Sequence, residues 1–217
     1  MSKVSWNGLW LRLLCAGLIL LVTFQVVKAD NNDPNDQNVP NDPNDPNDPN
    51  ELLRNKWDTI ISILQKKDID QKVKEEKVGK IVTPIFDFPL MAKLSLGRRH
   101  WPKLTPPQIE KFTQLFTERL KSSYLEKIAL YQDEKILFKP TVQKNKKTIN
   151  IPTELMYKDK KVDILYKLRK ADKHWKIYDV EIQGVSILLT YRSQFDEILR
   201  RGTVEELLAR LEKPPDE

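Results

Sequence analysis

From Leu52 the apolar positions fall into helical spacing. Leu53, Trp57, Ile60, Ile61 and Leu64 recur every three or four residues, which predicts a first helix with one buried stripe. A second helix is expected over 70–83. Pro84 and Pro89 then interrupt the pattern, and Leu90, Met91, Leu94 and Leu96 mark a short apolar helix that stops at Gly97. Thr105-Pro106-Pro107-Gln108 has the form of a capping box with proline at the first helical position. Behind it Ile109, Phe112, Leu115, Phe116, Leu120, Tyr124, Ile128 and Tyr131 share one broad face, so this is the expected principal helix of the core.

After Asp133 the period shortens to alternation. Ile136 and Phe138 open a strand. Ile149, Ile151, Leu155 and Tyr157 alternate in a second, where Pro152 signals an edge or a bulge. Val162, Ile164, Tyr166 and Leu168 alternate in a third, and Lys146-Lys147 and Asp159-Lys160-Lys161 mark turns. In the fourth strand Trp175 and Ile177 share one phase while Val180 and Ile182 take the other, which predicts a bulge or a strand covered on both faces. Two closing helices follow, over 190–201 and 203–211, separated by Gly202. Helices first and an antiparallel meander afterwards is an α+β plan. The expected architecture is a set of N-terminal helices wrapped on a curved antiparallel sheet of about four strands, closed by C-terminal helices, with an apolar cavity between.

Ahead of this body lie two segments of different character. Lys3 and Arg12 form a basic leader, residues 13–27 an apolar run of 15, and Val27-Lys28-Ala29 a small-residue site. That order is a secretory signal peptide over 1–29, cleaved after Ala29, with retention as an inner-membrane anchor the alternative. Residues 30–50 repeat Asn-Asp-Pro and carry one Val and no aromatic, a composition expected to stay disordered as a linker ahead of a domain over 51–213. Extended, the linker reaches on the order of 60 Å. Its regularly spaced carboxylates lack the glycine and glutamate of a regular calcium loop.

Charge and cysteine usage agree with export. Cys15 is the only cysteine and lies in the leader, so the mature chain has no thiol for disulfides, catalysis or metal. The chain has a formal net charge of +6. The leader holds Lys3, Arg12 and Lys28 and the linker six aspartates, so the body from Glu51 on carries about +9. Such a body suits anionic head groups or an acidic partner; export argues against nucleic acid.

No constellation announces catalysis. His100 and His174 lack metal-ligand spacing to other ligands, no Gly-x-Ser-x-Gly occurs, and six glycines leave no room for phosphate-cradling loops. No cofactor or metal is expected. Asp179 stands out as a carboxylate inside an apolar strand, either a general base in a cavity or a structural acceptor; the structural role is the expected one.

Three segments carry a resemblance. They are Phe86-Asp87-Phe88 with Met91-Ala92, Leu96-Gly97 and Trp101; Thr105-Pro106-x-Gln108 with Phe112, Phe116, Leu120 and Tyr124; and Trp175-x-x-Tyr178-Asp179-Val180-x-x-x-Gly184-Val185-Ser186 with Tyr191-Arg192-x-x-Phe195. In this order and at these separations they resemble the toluene-tolerance, MlaC-like family, over roughly 68–211. The resemblance implies a periplasmic lipid carrier, not an enzyme, that shields the acyl chains of a phospholipid. Such a carrier shuttles its cargo between an outer-membrane lipoprotein–porin complex and an inner-membrane ABC transporter, and so maintains outer-membrane asymmetry and solvent tolerance. A small-molecule enzyme using Asp179 and a protein-binding periplasmic adaptor are the alternatives. On the carrier reading, Phe112, Phe116 and Tyr124 should face Ile164, Tyr166, Val180 and Ile182 across an apolar space, with Leu90, Met91 and Leu94 covering one side. Arg98, Arg99 and Arg192 are the expected rim for the lipid phosphate, which must stay near water because an unpaired buried charge is costly.

Overall fold

A computed structural model describes residues 48–129, 135–157, 160–172 and 174–214; the leader and most of the Asn-Asp-Pro segment lie outside the described residues. The elements are α1 (Pro49–Leu64), α2 (Gln71–Val82), α3 (Phe88–His100), α4 (Pro106–Ala129), β1 (Lys135–Phe138), β2 (Val142–Asn145), β3 (Thr148–Tyr157), β4 (Lys160–Ala171), β5 (His174–Ile182), β6 (Val185–Ser186), α5 (Ile187–Arg201) and α6 (Val204–Glu212). The fold is α+β with an antiparallel sheet, as the periodicity predicts. The sheet has six strands, ordered β1-β3-β4-β5-β6 with β2 also beside β3. The two additional strands are β2, Val-Gln-Lys-Asn with a single apolar residue, and β6, two residues long, so neither shows an apolar alternation.

Helix α1 begins inside the Asn-Asp-Pro segment, ahead of the expected boundary at residue 51. Asp48 is its N-cap, accepting from the Asn50 amide at 2.9 Å, and Pro49 occupies the first turn. Aspartate followed by proline reads as a turn in a repeat, but it is equally the preferred start of a helix. Asn50 is buried and its side-chain amide donates to the Lys139 carbonyl at 2.9 Å and the Thr141 hydroxyl at 3.2 Å, tying α1 to the passage between β1 and β2.

Pro152 sits in β3 without breaking it. β1 pairs with residues 153–156 and β2 with 148–150, so the proline lies opposite the gap between them. Its carbonyl accepts from Lys139 N at 3.0 Å, and the nitrogen of a strand residue points the same way as its carbonyl. The missing donor therefore faces the gap, and the ladder to β4 is unharmed.

The phase change in β5 is a bulge. Lys167 is opposite Asp179, yet Leu168 is opposite Ile177, so Tyr178 is the extra residue. The bulge keeps Ile177 and Val180 on the same face. Cross-strand partners share a face, which gives apolar rows Ile149-Leu168-Ile177 and Ile151-Tyr166-Val180. Leu53 and Trp57 of α1 pack on this face with Ile85 and Phe86. A second cluster lies among the helices, built from Met91, Ala92 and Leu96 of α3, Phe112, Phe116 and Leu120 of α4, Phe195 of α5 and Leu207, Leu208 and Leu211 of α6. Phe86 and Ile187 pack against both clusters and form the seam between them.

β5 also fixes where α3 and α5 begin. The Asp87 amide donates to the Ile177 carbonyl at 2.8 Å, and the Asp87 carboxylate caps α3 through Leu90 N and receives Arg169 Nε at 2.6 Å. Asp179, only 5% exposed, accepts from the Ser186 hydroxyl at 2.8 Å, from the Leu188 amide at 3.3 Å and from Lys167 Nζ at 3.2 Å. Ser186 in turn caps α5 through Leu189 N. This relay starts α5 at Ile187, three residues before the expected position. Asp179 thus satisfies a helix terminus rather than the bulge itself.

Removing a buried acceptor of this kind costs about 1–3 kcal/mol. Asp179→Asn is expected to lower the urea-unfolding free energy by that amount, with Ser186→Ala having a smaller effect of the same sign. An unchanged or raised unfolding midpoint would contradict the anchoring role.

Candidate functional site

The three arginines singled out in the sequence meet at one place. A cleft of about 390 Å³ between α3 and α5 is lined by Leu96, Gly97, Arg98, Arg99 and His100 on one side and Leu189, Arg192, Ser193 and Asp196 on the other. It exists because α3 breaks. Gly97 adopts φ 64° and ψ −175°, a conformation that L side chains avoid. Arg192 crosses the break: its Nε donates to the Leu94 carbonyl at 3.0 Å, satisfying one of the last carbonyls ahead of it. A Cβ at residue 97 would come within 2.9 Å of that same nitrogen, so glycine serves both the backbone and the arginine.

Asp196 organises the opposite wall. One oxygen lies 2.8 Å from His100 Nε2 and 3.2 Å from Arg99 Nη1, and the other 3.3 Å from Arg200 Nε. The His100 hydrogen bond, with help from the arginines, holds the carboxyl below the usual aspartate range against some loss of hydration. Among the described residues neither Arg98 nor Arg192 forms an ion pair, so the cleft keeps an excess of positive charge. That is an arrangement for receiving a phosphate or another oxyanion near water.

The expected lipid-facing residues divide between the two clusters. Ile164, Tyr166, Val180 and Ile182 do come together on the apolar face of the sheet. Tyr166 is buried, and burial pushes its pKa up against the opposing influence of the nearby Trp57 and Thr153 side chains. Phe112 and Phe116 do not face them. They stack on each other at 5.7 Å, meet Phe195 edge-on at 5.5 and 5.8 Å, and Phe116 meets Tyr191 at 5.2 Å. Both are fully buried in the helical cluster with Met91, and Leu94 packs against it. The broad apolar face of α4 told that it is buried, but α5 competes for it and wins over the sheet. Leu90 lies half-buried on α3, and the Tyr124 side chain falls outside the described residues.

Several residues of this region escaped the sequence reading. The cover over the sheet comes from Leu53 and Trp57, which helical spacing marked only as core. His100 and Asp196 are 96 positions apart and meet only because α3 packs on α5. Leu189 left a usable signal: it stands 58% exposed, one position off the stripe of Leu188, Tyr191 and Phe195. His174 is exposed. Among the described residues no group of His, Cys, Asp and Glu is placed to hold a metal, and no helix is long and apolar enough to cross a membrane.

Three comparisons bear on this arrangement. A family model described as MlaC protein matches residues 54–213. The toluene tolerance protein Ttg2D of Pseudomonas putida is 22% identical over 128 residues, which span 58% of this chain and 60% of that protein. The chain thus aligns to less than two thirds of this relative's length. In three dimensions the chain resembles the phospholipid-binding protein of Ralstonia solanacearum, solved in complex with a phospholipid, with a TM-score of 0.66 and 22% identity, covering 75% of this chain and 93% of that one. This likeness is one of fold.

The Asp196 cluster yields a pH prediction. A carboxyl lowered in the folded state stabilises it above the unfolded pKa, and this contribution fades as pH falls through the folded value. Thermal stability of Asp196→Asn should therefore trail the parent at neutral pH, with the gap narrowing as pH drops below about 4. A gap that is constant down to pH 2 would contradict the assignment.

Proposed function

The chain belongs to the MlaC protein family, and from that premise we propose that it is a periplasmic lipid carrier. On this reading it shields the acyl chains of a phospholipid and carries the molecule between outer and inner membranes. Its partners are an inner-membrane ABC transporter complex and an outer-membrane lipoprotein–porin complex, and it is exported by a cleaved signal peptide. The named relatives, a toluene tolerance protein and a phospholipid-binding protein, support the same reading.

The observation that carries it is a single row of the sheet. Thr153, Ile164, Ile182 and Val185 are successive cross-strand partners on β3, β4, β5 and β6. Along this row burial fades: Thr153 is 2% exposed, Ile164 and Ile182 are partly buried, and Val185 is 53% exposed. The apolar face of the sheet therefore runs from beneath α1 to the surface, where β6 passes directly into α5 and its arginine-bearing wall of the cleft. Acyl chains laid along Ile164, Tyr166, Val180 and Ile182, under Leu53 and Trp57, would leave a phosphate at the rim of Arg98, Arg99 and Arg192. Leu90, Met91, Leu94, Phe112 and Phe116, with Tyr124 on the same helix, would back the wall from the helical side.

The physical need is plain. Burying apolar chain is worth about 0.8 kcal/mol per CH₂, so two acyl chains of roughly thirty such groups cost on the order of 20 kcal/mol to expose to water. A lipid crosses an aqueous compartment only inside a container.

Native mass spectrometry of protein from its own host should find phospholipid bound at one per chain. Val180→Glu should abolish the adduct while the circular dichroism spectrum is retained, and Ile182→Gln, at a partly buried position, should reduce it. A parent protein that carries no lipid would sink the proposal.

A further inference from the structure

We infer that the surface around Val185 and Leu189 docks directly on an anionic bilayer, with Arg98, Arg99 and Arg192 seated among its phosphates. The inference rests on the carrier reading and adds the partner of its mouth. Val185 and Leu189 are 53% and 58% exposed, two of the most exposed large apolar side chains among the described residues. They stand four positions apart, one in β6 and one in the first turn of α5. Water-exposed leucine at a helix start has no packing role here, since Leu188 takes the core position. Leu189 also lines the arginine cleft, and Arg192 follows it by three positions on α5, one helical turn on.

Apolar tips flanked by arginines are the composition of an interfacial anchor. Side chains such as valine and leucine enter the boundary between head groups and acyl chains, while guanidinium groups stay at phosphate depth on their long stems. Arg98 is exposed and the Arg99 side chain is 63% exposed, so both reach beyond the cleft. Asp196 offsets Arg99 in part, and Arg98 and Arg192 form no ion pair among the described residues. An acidic protein would meet the arginines equally well but would give no reason for two bare apolar tips. The continuity of Val185 with the buried row Thr153-Ile164-Ile182 adds a second argument. Docking at Val185 would place the end of that apolar row against the hydrocarbon boundary, so a chain moving between bilayer and protein need not cross water.

Sedimentation of the full mature chain with vesicles tests this. Vesicles of phosphatidylglycerol and phosphatidylethanolamine should retain the protein, vesicles of phosphatidylcholine should not, and retention should fall as salt rises. Leu189→Glu with Val185→Glu should weaken binding at least tenfold. Arg98→Glu with Arg99→Glu, a change of four charges, should weaken it by on the order of a hundredfold. Each variant is checked for the parental circular dichroism spectrum, and because all four positions are at the surface both pairs should pass. No retention by anionic vesicles would overturn the inference, as would retention that needs the arginines but ignores the apolar pair, the behaviour of a site for an acidic protein surface. Lipid content is read on the parent alone by native mass spectrometry. A parent without bound lipid would remove the carrier reading and leave the docking result to the vesicles.

Discussion

Strand β5 is the constraint on which the rest of this molecule depends. Its bulge at Tyr178 turns Asp179 toward Ser186 and keeps Ile177 and Val180 in the apolar face. The Ile177 carbonyl holds Asp87 and hence the start of α3; Asp179 holds Ser186 and hence the start of α5. The starts of two helices of the helical layer are thereby set at fixed positions on one strand. A buried carboxylate is costly unless its oxygens are satisfied, and here hydroxyl, amide and ammonium partners do so. The same geometry that makes Asp179 look reactive in sequence makes it an anchor in the fold.

The interior divides into two parts with different character. Among the helices, Phe112, Phe116, Tyr191 and Phe195 interlock through one stacked, one tilted and three edge-on contacts. Between α1 and the sheet the contacts are mostly aliphatic, with Trp57 and Tyr166 among them. At its start α1 is fastened by Asn50 and by Arg54 lying 4.8 Å over the Phe138 ring. An aromatic backing and an aliphatic cover suit a protein that would hold apolar cargo along a sheet. The break at Gly97 then opens the basic cleft at the end of that face without unfolding α3, because Arg192 takes over the loose carbonyl.

Much of the fold was legible in the sequence, for physical reasons. Strict period changes marked the helices and strands β1, β3, β4 and β5, and the phase slip at Asp179 marked the bulge. Capping chemistry was readable at Thr105, where the Gln108 side chain does reach back to the Thr105 amide at 2.8 Å; the capping box of Thr203 and Glu206 was not singled out, though it is equally local. The start of α5 was misjudged because its cap is relayed through Asp179, seven residues before Ser186 in the strand. Arg98, Arg99 and Arg192, chosen from charge and the lipid's need for water, line one cleft, while His100 and Asp196, which line it too, were not singled out. Pairings across 96 residues leave no local trace. The placement of Phe112 and Phe116 was missed for a related reason: an apolar stripe states that a face is covered, not by what.

The central claim is that acyl chains lie along the sheet face beneath α1 and emerge at Val185. A diacyl phospholipid carrying a photoreactive diazirine near the end of one chain tests it most directly, with cross-linked peptides mapped by mass spectrometry. The account predicts adducts on the sheet face and its cover, at Tyr166, Val180, Leu53 or Trp57. Adducts confined to exposed side chains, or to the aromatic layer of Phe112, Phe116 and Phe195, would contradict it.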